Sequence, residues 1–146
     1  MEQWVRPTSL ASGDFIISRT ASGATKADGW GVYYTGTGWV AWFGTTAVQT
    51  GEFTLPINTW THLAIQRYNG VVYVYVDGVS VTAPLAAAGN YDTPRAVVYG
   101  KPTTGAGINS IRGYLDETGI SNTTRWAAGT GSFSTPFAVY SGNISA

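Results

Sequence analysis

Trp60-Thr61-His62-Leu63-Ala64-Ile65-Gln66-Arg67-Tyr68-Asn69-Gly70-Val71-Val72-Tyr73-Val74-Tyr75-Val76-Asp77-Gly78-Val79-Ser80-Val81-Thr82 is the stretch on which the reading of this chain turns. Asn-Gly and Asp-Gly each separate two runs rich in β-branched and aromatic residues, and both dipeptides favour the two-residue type I′ hairpin. Two such turns set the register of a three-stranded meander, because loop length and turn type fix the pairing. Tyr68 is then expected opposite Val71, Ile65 opposite Val74 and Leu63 opposite Val76. Across the second turn Val76 meets Val79 and Val74 meets Val81. One face carries Leu63, Ile65, Val72, Val74, Val76, Val79 and Val81, with Arg67 its lone charge near the turn end, and reads as buried. The other carries His62, Ala64, Gln66, Tyr68, Val71, Tyr73, Tyr75, Ser80 and Thr82. That mixture suits a solvated sheet face stabilised by cross-strand tyrosine pairs. A sharper reading is a shallow platform for a sugar ring or a partner protein, since tyrosine combines flat apolar area with a hydroxyl.

Alternation with period two continues outward in both directions, and no segment holds a helical spacing for three turns. Before the centre, Glu2–Arg6, Phe15–Thr20, Trp30–Thr35, Trp39–Phe43 and Ala47–Phe53 read as strands. Ala96–Lys101, Gly113–Ser121 and Phe137–Tyr140 follow it. Clusters of Ser, Thr, Gly, Asn and Pro punctuate these runs, which predicts an all-β sandwich or barrel. Gly36-Thr37-Gly38 reads as a hairpin loop, and Leu85-Ala86-Ala87-Ala88-Gly89 is too short for a stable helix. Trp39 lies nearest that hairpin tip; of Trp30, Trp39 and Trp42, at least two are expected in the core.

Composition narrows the function classes. The 146 residues suit one domain over 1–146, with no internal shift in composition. Eight basic residues balance eight acidic ones, which argues against nucleic acid or an anionic membrane as partner. No cysteine occurs, so thiol catalysis and zinc–thiolate sites are excluded. No apolar run reaches a membrane span. Met1-Glu2-Gln3-Trp4-Val5-Arg6-Pro7 reads as a strand without a charged-then-apolar leader pattern, and the domain is expected to be a module of a larger protein.

Three groups of residues carry a family likeness. Trp60-Thr61-His62-Leu63-Ala64, Tyr73-Val74-Tyr75-Val76-Asp77-Gly78 and Gly113-Tyr114-Leu115-Asp116-Glu117 resemble laminin-G-like domains of the concanavalin A-like lectin/glucanase superfamily. Glu2-Gln3-Trp4-Val5-Arg6-Pro7 and Phe15-Ile16-Ile17-Ser18-Arg19 are similar to two early strands of that family. Ile120-Ser121-Asn122, Arg125-Trp126, Phe133 and Pro136 are similar to a terminal pattern found in versions carried by phage tail and virion proteins. The resemblance runs in order along nearly the whole chain. It implies an all-β antiparallel sandwich of jelly-roll type but no single ligand, since the fold hosts lectins, adhesion modules, glucanases and structural domains. One family segment, with a strand, is missing before Glu2, which would leave a sheet edge open, covered by Phe137–Tyr140, or paired with another chain.

Glycoside hydrolysis, which the resemblance raises, needs two carboxyls about 5–9.5 Å apart. Asp116 and Glu117 are neighbours on a strand and point to opposite faces, so they cannot flank one bond. Nothing in the sequence brings Glu2 or Glu52 beside them, and no enzymatic activity is expected. His62 is the single histidine, which excludes multi-histidine metal sites, and no Gly-x-Ser-x-Gly elbow accompanies it. Asp14, Asp28, Asp77 and Asp92 lie apart in turn contexts and suit local capping. A calcium site from Asp28, Asp92 and Asn109 is conceivable, but no cofactor is predicted. The resemblance implies that Asp116 and Glu117 help fix the terminal strand, with Arg112 or Arg125 as ion partner. Asn122-Thr123-Thr124 and Asn143-Ile144-Ser145 match glycosylation triplets that arise often by chance. The candidate carbohydrate-binding residues are therefore Tyr73, Tyr75 and Trp39 for stacking, with Gln66 and His62 as hydrogen-bonding partners. The expected function is a recognition module on a virion or extracellular surface that binds a cell-surface glycan. The alternative is a structural virion component, a capsid decoration or fibre spacer, contacting a neighbouring virion protein or forming a homo-oligomer.

Overall fold

The computed structural model describes residues 1–19, 29–44, 48–91, 96–100, 109–126 and 131–135. Among these residues the chain forms eleven strands: β1 (Glu2–Ser9), β2 (Asp14–Arg19), β3 (Gly29–Tyr34), β4 (Trp39–Gly44), β5 (Thr61–Tyr68), β6 (Val71–Val76), β7 (Val79–Ser80), β8 (Leu85–Ala86), β9 (Val98–Tyr99), β10 (Asn109–Ser110) and β11 (Arg112–Gly119). The first sheet has the order β11-β1-β5-β6-β7, with β8 also on β6; the second has the order β10-β2-β3-β4, with β9 also on β2. Pairing is antiparallel throughout, except for the short parallel contact of β10 with β2. No helix among the described residues is long and apolar enough to cross a membrane. The expected strand Phe137–Tyr140 lies outside the described residues.

The meander has the register that its turns dictate. Asn69, Gly70, Asp77 and Gly78 all have positive φ, between 46° and 79°, as type I′ turns require. Tyr68 pairs with Val71, Ile65 with Val74, Leu63 with Val76, and Val76 with Val79. Leu63, Ile65, Val72 and Val74 pack into the core against Ile16, Ile17, Val32, Trp39, Ala41 and Phe43 of the second sheet. Val79 and Val81 depart from the expectation: both are exposed, because the regular pairing of β7 ends at Ser80 on the sheet margin, outside the core cluster.

A bulge between Phe15 and Ile17 shifts the β2–β3 register. It sends the consecutive Ile16 and Ile17 into the core together, both fully buried, which strict alternation forbids. The expected strand Ala47–Phe53 is irregular; among its described residues only Gln49 and Phe53 bridge to β4. Trp39 and Trp42 are both completely buried, on opposite faces of β4. Trp39 lies in the core cluster, while Trp42 packs with Phe15 and Tyr33 on the other face.

β1 is not an edge. It lies between β5 and β11, so among the described residues β11 and β7 are the margins of the first sheet. Two register shifts break the β1–β11 ladder, with Gly113 and Glu117 at positive φ. Bulges of this kind blunt an edge against further strand pairing.

The Trp42 indole constrains its neighbour across the ladder. A Cβ on Gly31 would stand 2.1 Å from two indole carbons and 2.6 Å from the Ile17 carbonyl oxygen. Gly31→Ala should therefore destabilise the domain by about 1–3 kcal/mol, the usual cost of overpacking. Thermal unfolding should show a fall of several degrees, and an unchanged midpoint would mean that the ring and backbone yield freely.

Candidate functional site

The face expected to be a solvated platform is covered. Trp126 and Phe133 stack on each other, with ring centroids 4.2 Å apart. Phe133 then meets Tyr75 edge-on at 5.0 Å and His62 at 6.2 Å. Its segment is held by Phe133 N–H donating to Gly78 O, Ser80 N–H donating to Gly131 O, and a bridge between Val79 and Ser132. Arg125 pairs with Glu2, whose Oε2 lies 3.5 Å from His62 Nε2.

The candidate residues separate accordingly. Tyr75 and Trp39 are fully buried, so neither has a free ring face on which a sugar could stack. His62 is buried beneath Trp4 and Phe133, and its backbone N–H donates to Asp77 Oδ1. Gln66 is buried and donates from Nε2 to Trp126 O. Tyr73 alone stays half-exposed. Burial rather than solvation is what Tyr, His and Gln accept here, because rings from a distant segment supply their partners.

A different surface is open. One end of the sandwich gathers the close of β2 (Arg19), the start of β3 (Trp30), the close of β4 (Phe43) and the close of β5 (Arg67). With Asn90 and Tyr91 these residues line a cleft of about 390 Å³. Trp30 and Tyr91 are half-buried and pack on the margin of the core. Arg67, the lone charge on the apolar face, donates from Nε to Ala87 O at 2.8 Å and from Nη2 to Gly89 O at 2.7 Å. Its guanidinium lies 5.1 Å from the Tyr91 ring centroid, and Tyr91 tilts against Phe43 at 5.6 Å. Glycine makes room for that ring: a Cβ on Gly44 (φ +74°) would reach within 2.6 Å of Tyr91 Cε1. The segment from Leu85 to Tyr91 arrives there as β8 and then a loop, with Ala87 N–H donating to Gly70 O. Arg67 on the core face was the sequence signal for this site; Tyr91 and Asn90, in a short loop, offered none.

Of the two carboxylates weighed as neighbours of Asp116 and Glu117, Glu2 shares a cavity with Glu117, while Glu52 is engaged at a hairpin. Glu52 accepts from the Thr35 and Thr37 hydroxyls at the 35–38 hairpin, and those bonds lower its pKa. It therefore serves the hairpin turn rather than approaching Asp116 or Glu117. Asp116 Oδ1 accepts from the Glu117 N–H, and Glu117 shares a cavity of about 260 Å³ with Glu2, Trp4, His62 and Arg125. The arginines expected beside that pair lie elsewhere: Arg125 on Glu2, and Arg112 Nη2 at 3.9 Å from Asp14 Oδ1. Asp14 Oδ2 also accepts from the Ala11 N–H, as a turn aspartate does. For calcium, Asp28 and Asp92 lie outside the described residues, while Asn109 Nδ2 donates to Ser12 O. Among the described residues no three His, Asp or Glu side chains cluster as metal ligands.

Two stacked, almost wholly antiparallel sheets define the molecule as a β-sandwich. A family model of the concanavalin A-like lectin/glucanases superfamily, of laminin-G type, matches residues 1–128, and the chain belongs to that superfamily. No curated protein sequence matches it. Among solved structures it is similar to domain 4 of AbnA, a GH43 extracellular arabinanase from Geobacillus stearothermophilus, in complex with arabinotriose. The TM-score is 0.50 at 19% identity over 79% of this chain, and the match spans 55% of that structure, about half its length. That likeness shows the fold.

Burial pushes the His62 imidazole below its usual pKa of 6.5, with Asp77 partly opposing. Glu2 is close, but its charge is already engaged by Arg125. The folded protein thus holds a neutral imidazole where the unfolded chain takes up a proton, so stability falls as pH drops through 6.5 toward the lowered value. His62→Gln should flatten the pH dependence of unfolding in that window, measured by urea titration. An identical slope in both proteins would assign the loss to other groups.

Proposed function

We propose that the domain is a non-catalytic recognition module that binds glycan in the cleft of Trp30, Tyr91 and Arg67. The observation that carries this reading is the arginine itself. Two backbone carbonyls and a tyrosine ring hold Arg67 in place before any ligand arrives, so ordering it on binding costs little entropy. Two of its five N–H donors are engaged by those carbonyls, which leaves three for sugar hydroxyls or ring oxygens. Trp30 and Tyr91 supply partly exposed rings for the apolar face of a sugar. The cleft also lies within the ~300–1,000 Å³ span of small-ligand sites. The described lining includes no carboxylate, which favours binding over hydrolysis. The superfamily, and a similar fold seen with arabinotriose, add support.

Such contacts are individually weak, so useful avidity comes from repeated copies of the domain. The biological setting that fits is a larger phage-tail or secreted surface protein that uses the module to hold a cell-surface glycan. A second reading, a structural virion component, is favoured by Tyr114 and Ile120, which are 57% and 50% exposed on and just after β11. Sedimentation separates the two: a tight oligomer favours the structural role.

Glycan-array binding with and without calcium tests the main reading, using arabinan, other plant polysaccharides and bacterial surface polysaccharides. Trp30→Leu, which keeps apolar bulk at the core margin, should weaken binding at least about tenfold, or about 1.4 kcal/mol. A blank array, or full binding by the variant at an unchanged unfolding midpoint, would remove the cleft from consideration.

A further inference from the structure

Arg67 brings a charge to the cleft without a counter-charge. It follows the buried Leu63 and Ile65 on one face of β5 and is the exposed end of that row. No carboxylate among the described residues pairs with it: Glu2 is held by Arg125, Asp14 lies beside Arg112, and Asp77 accepts from the His62 N–H. Arg19 adds a second guanidinium to the same lining, which has no carboxylate among its described residues. The chain as a whole has no net charge, so this positive lining is a local feature. Geometry gives the charge a direction. Arg67 Nε and Nη2 donate to Ala87 O and Gly89 O, two carbonyls of one segment, which takes up the side-on edge of the guanidinium. The end-on edge, Nη1 with the second Nη2 proton, has no acceptor among the described residues. Two parallel N–H donors in one plane match a pair of anionic oxygens.

We infer that the ligand of the cleft is an acidic glycan, whose anionic group, a uronic acid carboxylate or a sulfate ester, sits on the end-on edge of Arg67. The inference rests on the glycan reading of the cleft and deepens it by naming the class of sugar. Hydroxyls of a neutral sugar would accept from these donors but leave the charge unanswered. An anionic group answers the charge and engages both donors together, and such charge-assisted pairs are about twice as strong as neutral ones. Two carbonyls and the Tyr91 ring already fix the guanidinium plane, so the fork stands ready before the ligand arrives. Arg67 is then the residue that sets specificity, and Trp30 supplies the apolar surface for the sugar ring.

Binding of the whole domain to immobilised polysaccharides tests this. The panel is polygalacturonan, alginate, hyaluronan and chondroitin sulfate, each beside its carboxyl-reduced form, with desulfated chondroitin and neutral arabinan as references. At least one acidic polymer should bind at least about tenfold more tightly than its neutralised form and than arabinan. Loss on carboxyl reduction assigns the carboxylate, and loss on desulfation assigns the sulfate. Raising salt from about 0.01 M to about 1 M should weaken the acidic polymer and leave the neutralised one unchanged. Arg67→Lys keeps the charge but removes the fork, and should erase at least about tenfold of the preference. Where that variant unfolds early, Trp30→Leu takes its place and should lose the acidic polymer, since both side chains hold the same sugar. If neutral forms bind as tightly as acidic ones, or the folded variant keeps the full preference, the acidic-glycan inference fails and the cleft reading survives alone. If no polymer binds, the two fail together.

Discussion

A type I′ turn demands two consecutive residues in the left-handed backbone region, and few dipeptides accept it without strain. This chain meets the demand twice, at Asn69-Gly70 and Asp77-Gly78, and much of the molecule follows. A slip of one residue at either turn would exchange the two faces of the meander and expose Leu63, Ile65, Val72 and Val74. The turns also organise what lies beyond the strands they join. Gly70 O receives Ala87 N–H and so starts the loop that carries Tyr91 to the cleft. Gly78 O receives Phe133 N–H at the other end of the sandwich, and a Cβ at Gly78 would stand only 2.1 Å from the Phe133 carbonyl oxygen. Backbone conformation at four residues thereby positions both the open site and the covered face.

The covered face shows where local reading ends. Tyr75, His62 and Gln66 are amphipathic, and each is as content against another ring as against water. Period-two spacing says which residues share a face, but not what lies over it. The cover here comes from Trp126, sixty residues along the chain from Gln66, and from Phe133. Arg125-Trp126 and Phe133 were visible as part of a family-like terminal pattern, yet their destination was not. The Glu2–Arg125 pair beside His62 joins the first strand to the last described segments, a link of high sequence separation.

The cleft has the same history in reverse. Arg67 stood out as a charge on an apolar face, and its resolution is a set of specific partners: two carbonyls and a tyrosine ring. Trp39, nearest the hairpin tip, was the expected stacking residue, and Trp30 was not. Trp39 is sealed in the core by its bridge to Phe53, while Trp30, at the start of β3, remains at the open end. Both stand at or next to the start of a strand, so what packs over the ring, and not the strand position, decides its accessibility.

The sequence by itself determined the class of fold, the meander register and four of the seven buried-face assignments in full, because turn chemistry and alternation act between neighbours in the chain. Val76 remained half-buried, whereas Val79 and Val81 escaped burial since burial depends on what the facing sheet reaches. Only the tertiary structure decided which aromatic residues are accessible, which face is covered, and that Arg67, Trp30 and Tyr91 converge on one cleft. Those outcomes rest on contacts between segments tens of residues apart, and packing between such segments leaves no periodic trace in the sequence of either one.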